Sequence, residues 1–225
     1  MLGDSITYGG GTSDSYGSQL AALLPPNATV VNLGVNSATV QSYASTAQHQ
    51  TALSQRWDTV IIMFGTNEVI SHGERLDNCL PDLQCAFGQQ YLHLIDSLHA
   101  SRVLLMIPPH TRGGYASIDR AAPIIRGVSL ARGLGDPIDL RSHVLDYVDD
   151  LHPSKAGYSS IALAVADSLC NGEREATTSG SSSSSLSADS VVAVAVLAAF
   201  VAIMCVALMA RTKYTAVHGP TAVAV

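Results

Sequence analysis

Thr59-Val60-Ile61-Ile62-Met63-Phe64, running straight into Gly65-Thr66-Asn67-Glu68, is the stretch on which the fold is decided. A half-exposed strand would alternate polar and apolar residues, and a buried helix would need ten or more positions. A short, uncharged, β-branched run stopped by glycine is what a strand covered on both faces looks like. Two runs of the same kind flank it, Ala28 to Leu33 (ATVVNL) and Arg102 to Ile107 (RVLLMI), and Pro137 to Leu140 adds a weak fourth. Between them Ser15 to Leu24, Thr39 to Gln55 and Leu83 to Ala100 can be written as amphipathic helices. Ser154 to Cys170 reads as a final helix capped by Ser154. This alternation predicts an α/β fold with a parallel sheet between helical layers.

Parallel sheets bind ligands beyond the C-terminal ends of their strands. Ser5, Gly34, Asn67 and Pro108-Pro109-His110 fall at those ends. Gly3-Asp4-Ser5 opens the chain, and Asp149-Asp150-Leu151-His152-Pro153 lies far downstream. A serine hydroxyl becomes a nucleophile when an imidazole takes its proton and a carboxylate orients that imidazole. Ser5, His152 and Asp149 supply the three groups, with Asp150 and Asp146 as other candidates for the acid. Asp4 is expected to hold the turn around Ser5 through local hydrogen bonds. The nucleophile elbow, P-loop, dinucleotide and zincin motifs do not occur in the chain. His49, His72, His93, His99, His110, His143 and His218 show no metal-ligand spacing with a carboxylate or second histidine.

Four segments resemble the sequence blocks of the GDSL or SGNH hydrolases, in that family's order: Leu2 to Thr7, Asn32 to Ser37, Phe64 to Glu68, and Asp149 to His152. The resemblance spans roughly residues 1 to 170 and implies a three-layer α/β/α sandwich with a flavodoxin-like central parallel sheet. It also implies Ser5 as nucleophile, His152 as base and Asp149 as orienting acid. The oxyanion donors would be the backbone N–H groups of Ser5 and Gly34 and the amide of Asn67. Pre-aimed donors at the developing oxyanion are worth several kcal/mol in the barrier. Read locally, Gly34 is equally a turn residue after a strand, and Asn67 a cap of the following helix. No metal or organic cofactor is implied.

The chain has 225 residues, 47% hydrophobic and only 13% charged, enough for one domain with a sizeable core and something more. A net charge of -6 without a basic patch argues against a nucleic-acid partner. Val191 to Ala210 (VVAVAVLAAFVAIMCVALMA) carries no charge, Pro or Gly. At about 1.5 Å per residue it matches a hydrocarbon core of about 30 Å and reads as a transmembrane helix. Residues 172–190, with five consecutive serines, read as a flexible stalk between a hydrolase domain at 1–171 and the span at 191–210; 211–225 is a short tail. Arg211 and Lys213 follow the span, which predicts a cytoplasmic tail and an extracytoplasmic head.

Asn27-Ala28-Thr29 is a glycosylation sequon, and Cys79 and Cys85 bracket a short loop that a disulfide would close in an oxidising compartment. Met1 runs directly into Leu-Gly-Asp-Ser, so the expectation is a natural start further upstream, carrying a signal peptide and a full first strand. A tail-anchored protein with a cytosolic head is the rival. The expected function is a membrane-anchored serine esterase acting on short acyl esters, with O-acetylated carbohydrate suggested by analogy with one branch of the family. Lipid esterase, lysophospholipase or thioesterase activity is the alternative within the family, and a catalytically silent glycan-binding module the alternative of another class.

Overall fold

In the computed structural model five parallel strands lie in the order β2-β1-β3-β4-β5. The structure describes residues 1–72, 76, 78–112, 118–143 and 145–179. The strands are β1 (Leu2–Gly3), β2 (Leu33–Gly34), β3 (Trp57–Met63), β4 (Ala100–Ile107) and β5 (Ile138–Asp139). Leu2 pairs with both Leu33 and Ile62, so the segment entering Ser5 is the middle of the sheet. The strand order reverses between β1 and β3. In open α/β sheets that reversal opens a crevice at the C-terminal edge, and ligands bind there.

Along β3 the side chains alternate between faces. Val60 and Ile62 join a buried cluster with Phe64, Leu105, Ile107, Phe87 and Tyr91. Ile61 and Met63, pointing the other way, are buried too. Both faces are covered, which is why the run carries no polar alternation.

The helices are α1 (Ser5–Tyr8), α2 (Tyr16–Leu23), α3 (Val40–Tyr43), α4 (Ala47–Leu53), α5 (Thr66–His72), α6 (Ala86–Ser97), α7 (Ala121–Ala131) and α8 (Lys155–Ser179). Several sequence boundaries need correction. Ala28 to Asn32 is not strand, and β2 pairs with β1 through Leu33 and Gly34. The predicted helix from Thr39 to Gln55 is two helices, broken where Thr46 caps α4 by accepting a hydrogen bond from His49 N. Leu83 to Ala100 shortens to α6, with Cys85 as its cap and Ala100 already in β4.

The first strand, β1, comprises two residues. Met1 continues its pairing through Leu33 N–H to Met1 O at 2.9 Å.

Two compact units divide the chain, Met1–Ala164 and Val165–Val225. The first holds the sheet and every residue assigned to the site. The second contributes, among the described residues, the C-terminal part of α8. That helix runs to Ser179, so the segment read as a stalk from residue 172 begins as helix. Its Glu-Arg-Glu-Ala sequence favours continuation. Residues 180–190, the span at 191–210 and the tail at 211–225 lie outside the described residues. Among the described residues no helix is long and apolar enough to cross a membrane.

Cys79 and Cys85 form the expected disulfide. Asn27 is exposed on the turn between α2 and β2.

Candidate active site

Ser5 is the first residue of α1, placed there by the central strand that ends at Gly3. Asp4 between them is the helix cap. Its carboxylate accepts from Ile6 N at 2.9 Å, the local role expected of it. Asp4 is buried, and desolvation raises its carboxyl to about 6 against the pull of the Ile6 amide, the Thr66 side chain and His152.

His152 comes from the loop before α8, and the loop's own bonds shape it. Val148 N donates to His152 O at 3.0 Å, Ser154 N donates to Asp146 O at 2.8 Å, and the Ser154 hydroxyl donates to the Asp146 carboxylate at 2.8 Å. This assigns the acids. Asp146 holds Ser154, and Asp149 faces the imidazole. One Asp149 oxygen accepts from Leu151 N at 2.8 Å and His152 N at 2.6 Å, and the other meets His152 Nδ1 at 2.8 Å. Desolvation works upward on the Asp149 carboxyl, but the His152 amide, the His152 ring and the Leu151 amide hold it down at about 2. A carboxylate acceptor at Nδ1 keeps the ring proton there and leaves Nε2 to accept. Nε2 lies 3.0 Å from Ser5 Oγ, across 147 residues of sequence.

The three residues read as oxyanion donors separate. Ser5 N, at the first position of α1, has no intrahelical partner. Asn67 sits in the first turn of α5 rather than at its cap, half-buried, and one of its two amide hydrogens goes to Ala38 O at 2.9 Å. Gly34 differs from expectation, because its N–H donates to the Asn32 side chain at 2.9 Å. The same Asn32 amide donates to Thr7 O at 2.7 Å. A β-carbon at Gly34 would lie 2.3 Å from Tyr8 N and 2.8 Å from Thr7 C. Glycine is needed here so that β2 and α1 can touch. The next turn, closed by Ala38 N to Val35 O at 3.2 Å, carries Ser37 in the left-handed region at φ 58°. Ser37 N–H makes no hydrogen bond among the described residues.

Residues 1–159 match the GDSL-like lipase/acylhydrolase family, a span that includes Ser5, Asn67, Asp149 and His152. The chain belongs to this family. It is therefore a carboxylic ester hydrolase by family. Solved structures similar to this acylhydrolase include a carbohydrate acetylesterase from Sinorhizobium meliloti (TM-score 0.58), with 18% identity over 76% of this chain and 96% of that one. The inhibitor-bound aryl esterase of M. smegmatis has a TM-score of 0.59 with the same identity and coverages. A possible lipase from Chitinophaga pinensis gives 0.55, again at 18% identity, 76% and 96%. At this identity the likeness shows the fold. No curated relative matches the chain by sequence.

Three features of this GDSL-like hydrolase escape a sequence reading of the site. Gly10 and Gly11 lie against His152, and the Tyr158 hydroxyl donates to Gly10 O at 3.0 Å. Asn32 joins β2 to α1, as described. Glu68 is buried and accepts from Gly65 N at 2.9 Å and Val40 N at 2.6 Å. Desolvation raises Glu68 to about 7, despite those amides and with a further push from Asp4. Half of the Glu68 arrangement was readable, since a glutamate three residues after a helix cap is a capping-box spacing.

Proposed function

We propose that this acylhydrolase is a membrane-anchored serine esterase that removes short acyl groups, O-acetyl above all, from carbohydrate through an acyl-enzyme. The observation that carries the reading is the relay Ser5 Oγ to His152 Nε2 at 3.0 Å and His152 Nδ1 to Asp149 at 2.8 Å. His152 takes the hydroxyl proton as Ser5 Oγ bonds to the ester carbonyl carbon. The tetrahedral oxyanion collapses, the C–O bond to the alcohol breaks, and the leaving alkoxide receives the proton from His152. Water then gives its proton to His152 and attacks the acyl-enzyme, releasing the carboxylic acid and regenerating Ser5.

The oxyanion is held by Ser5 N–H, an Asn67 amide hydrogen and a backbone N–H after β2. Ser37 takes this third place, since the Gly34 N–H serves Asn32.

The acyl preference draws on the acetylesterase among the similar folds and on the closing Asp149-x-x-His-Pro-Ser-x-x-Gly-Tyr158 stretch. Anchoring through Val191 to Ala210, with an extracytoplasmic head and cytoplasmic tail, draws on the apolar run and its basic C-terminal flank. The exposed Asn27 sequon and the Cys79–Cys85 disulfide are consistent with a head in an oxidising compartment.

Hydrolysis of p-nitrophenyl acetate, butyrate and longer esters by the full chain, beside Ser5→Ala, tests the proposal. Turnover lost in Ser5→Ala and falling with acyl length is expected, together with release of acetate from an acetylated glycan. Preference for long acyl chains would move the substrate to lipid. A folded chain that binds glycan without turning over any ester would be a binding module.

A further inference from the structure

Glu68 does something no local reading of its sequence position calls for. It is the third residue of α5, and Gly65 caps that helix. A glutamate at this point reaches back to the cap N–H, as Glu68 does. The reciprocal half is impossible because Gly65 has no side chain. The second carboxylate oxygen instead crosses to Val40 N, the first amide of α3 and one of its orphan donors. One carboxylate therefore caps two helices that belong to different crossovers of the sheet.

Each helix carries part of the proposed oxyanion site. α5 presents Asn67, next in sequence to Glu68. The turn leading into α3 presents Ser37, three residues before Val40. A second bond parallels the first, from the Asn67 amide to Ala38 O at 2.9 Å. Glu68 with Asn67 thus forms a two-bond bridge from α5 to residues 38–40. Glu68 is only 5% exposed, so water does not replace either bond if the carboxylate is lost.

We infer that Glu68 is a positioning residue for oxyanion stabilisation, a buried carboxylate that fixes the spacing between the turn bearing Ser37 and the helix bearing Asn67. The inference rests on the donor set proposed above. Glutamine at 68 keeps the shape but turns an N–H toward one of the two backbone N–H groups. The bridge opens on that side while Ser5, His152 and Asp149 keep their contacts.

The experiment is a double-mutant cycle of Glu68→Gln with Asn67→Ala in the full chain, with p-nitrophenyl acetate as substrate and thermal melting as the check on folding. Expected are a fall in kcat of about tenfold or more for Glu68→Gln with KM within about twofold, and little further loss from Glu68→Gln once Asn67 is alanine. Unchanged kcat, or losses that multiply in full, would overturn the inference.

Should Glu68→Gln not fold, Val40→Pro removes the donor on the other side. Proline is tolerated at a helix's first position, and Thr39 is already extended before it. The same fall in kcat, non-additive with Asn67→Ala, is expected. Ser5→Ala and Asn67→Ala alone report on the underlying mechanism. Their loss of turnover beside a silent Glu68→Gln would sink the positioning role and leave that mechanism standing.

Discussion

Gly10 lies so close to the imidazole of His152 that a β-carbon there would meet ring Cδ2 at 2.6 Å and Nε2 at 2.8 Å. The Gly10 amide donates to Ser5 O at 2.8 Å, and its carbonyl accepts from the buried Tyr158 hydroxyl at 3.0 Å. The loop is thus pinned on both sides of the ring and cannot retreat from a new methyl group. Gly10→Ala is expected to push Nε2 away from Ser5 Oγ and lower kcat/KM by about 10²-fold, the cost of a misplacement near 1 Å. Steady-state kinetics beside a melting curve check it. A wild-type rate would show that the ring has room the geometry denies it.

Gly34 and Ser37 separate packing from conformational strain. The atoms a methyl group at Gly34 would strike are the backbone of Thr7 and Tyr8, which cannot rotate aside. Gly34→Ala is therefore expected to displace α1 and Ser5 with it, costing about 1–3 kcal/mol of stability along with most of the turnover. Ser37→Gly relieves a left-handed residue, gains up to about 1 kcal/mol, and keeps its N–H and the activity. Melting temperature and kcat on the two variants decide it, and a stable, active Gly34→Ala would refute the packing account.

β3 and β4 were legible because a strand buried on both faces writes an unbroken apolar run. The apolar run at 28–33 overstates β2, because strand pairing is not encoded in those residues. The helix after Gly65 is legible but begins one residue before the Asn67 cap, and α7 is hidden because Pro123 and Gly127 look like breakers. Pro123 falls in the first turn, where an absent N–H costs nothing. The Asp149 and His152 pairing could be seen in the sequence, since the two lie three positions apart in one loop. The occupation of the Gly34 N–H by Asn32 and the reach of Glu68 to Val40 could not, as both follow from contacts between crossovers.

Asp4 makes stability depend on pH in an unusual direction. Its carboxyl titrates near 3.8 unfolded and about 6 folded, so between those values the folded chain holds the extra proton. Stability falls with rising pH when the folded state binds more protons. The Asp4 contribution is complete below about 3.8 and lost as pH rises through about 6. Asn caps a helix as well as Asp but does not titrate. Asp4→Asn should therefore gain on the wild type by roughly 2 kcal/mol between pH 4 and pH 7. Chemical denaturation of the pair across this range checks the sign, and a difference that shrinks as pH rises would contradict it.

The Cys79–Cys85 disulfide closes a loop with a sequence separation of 6, and Cys85 also caps α6 by accepting from Gly88 N at 3.3 Å. Replacing Cys85 by Ala would mix the two effects. Cys85→Ser keeps a side-chain acceptor at the cap and removes only the cross-link. Chain entropy for so short a loop gives about 2 kcal/mol. In a domain of this size that is a fall in Tm of roughly 4–8 °C. Thermal melting of Cys85→Ser beside the wild type without reductant checks it, and an unchanged Tm would contradict it. Alkylation of protein taken directly from cells then bears on the compartment of the head. A Cys79–Cys85 pair protected from the reagent supports an oxidising environment, because cytosolic thiols are kept reduced. Full labelling of both cysteines in folded protein would count against the extracytoplasmic head.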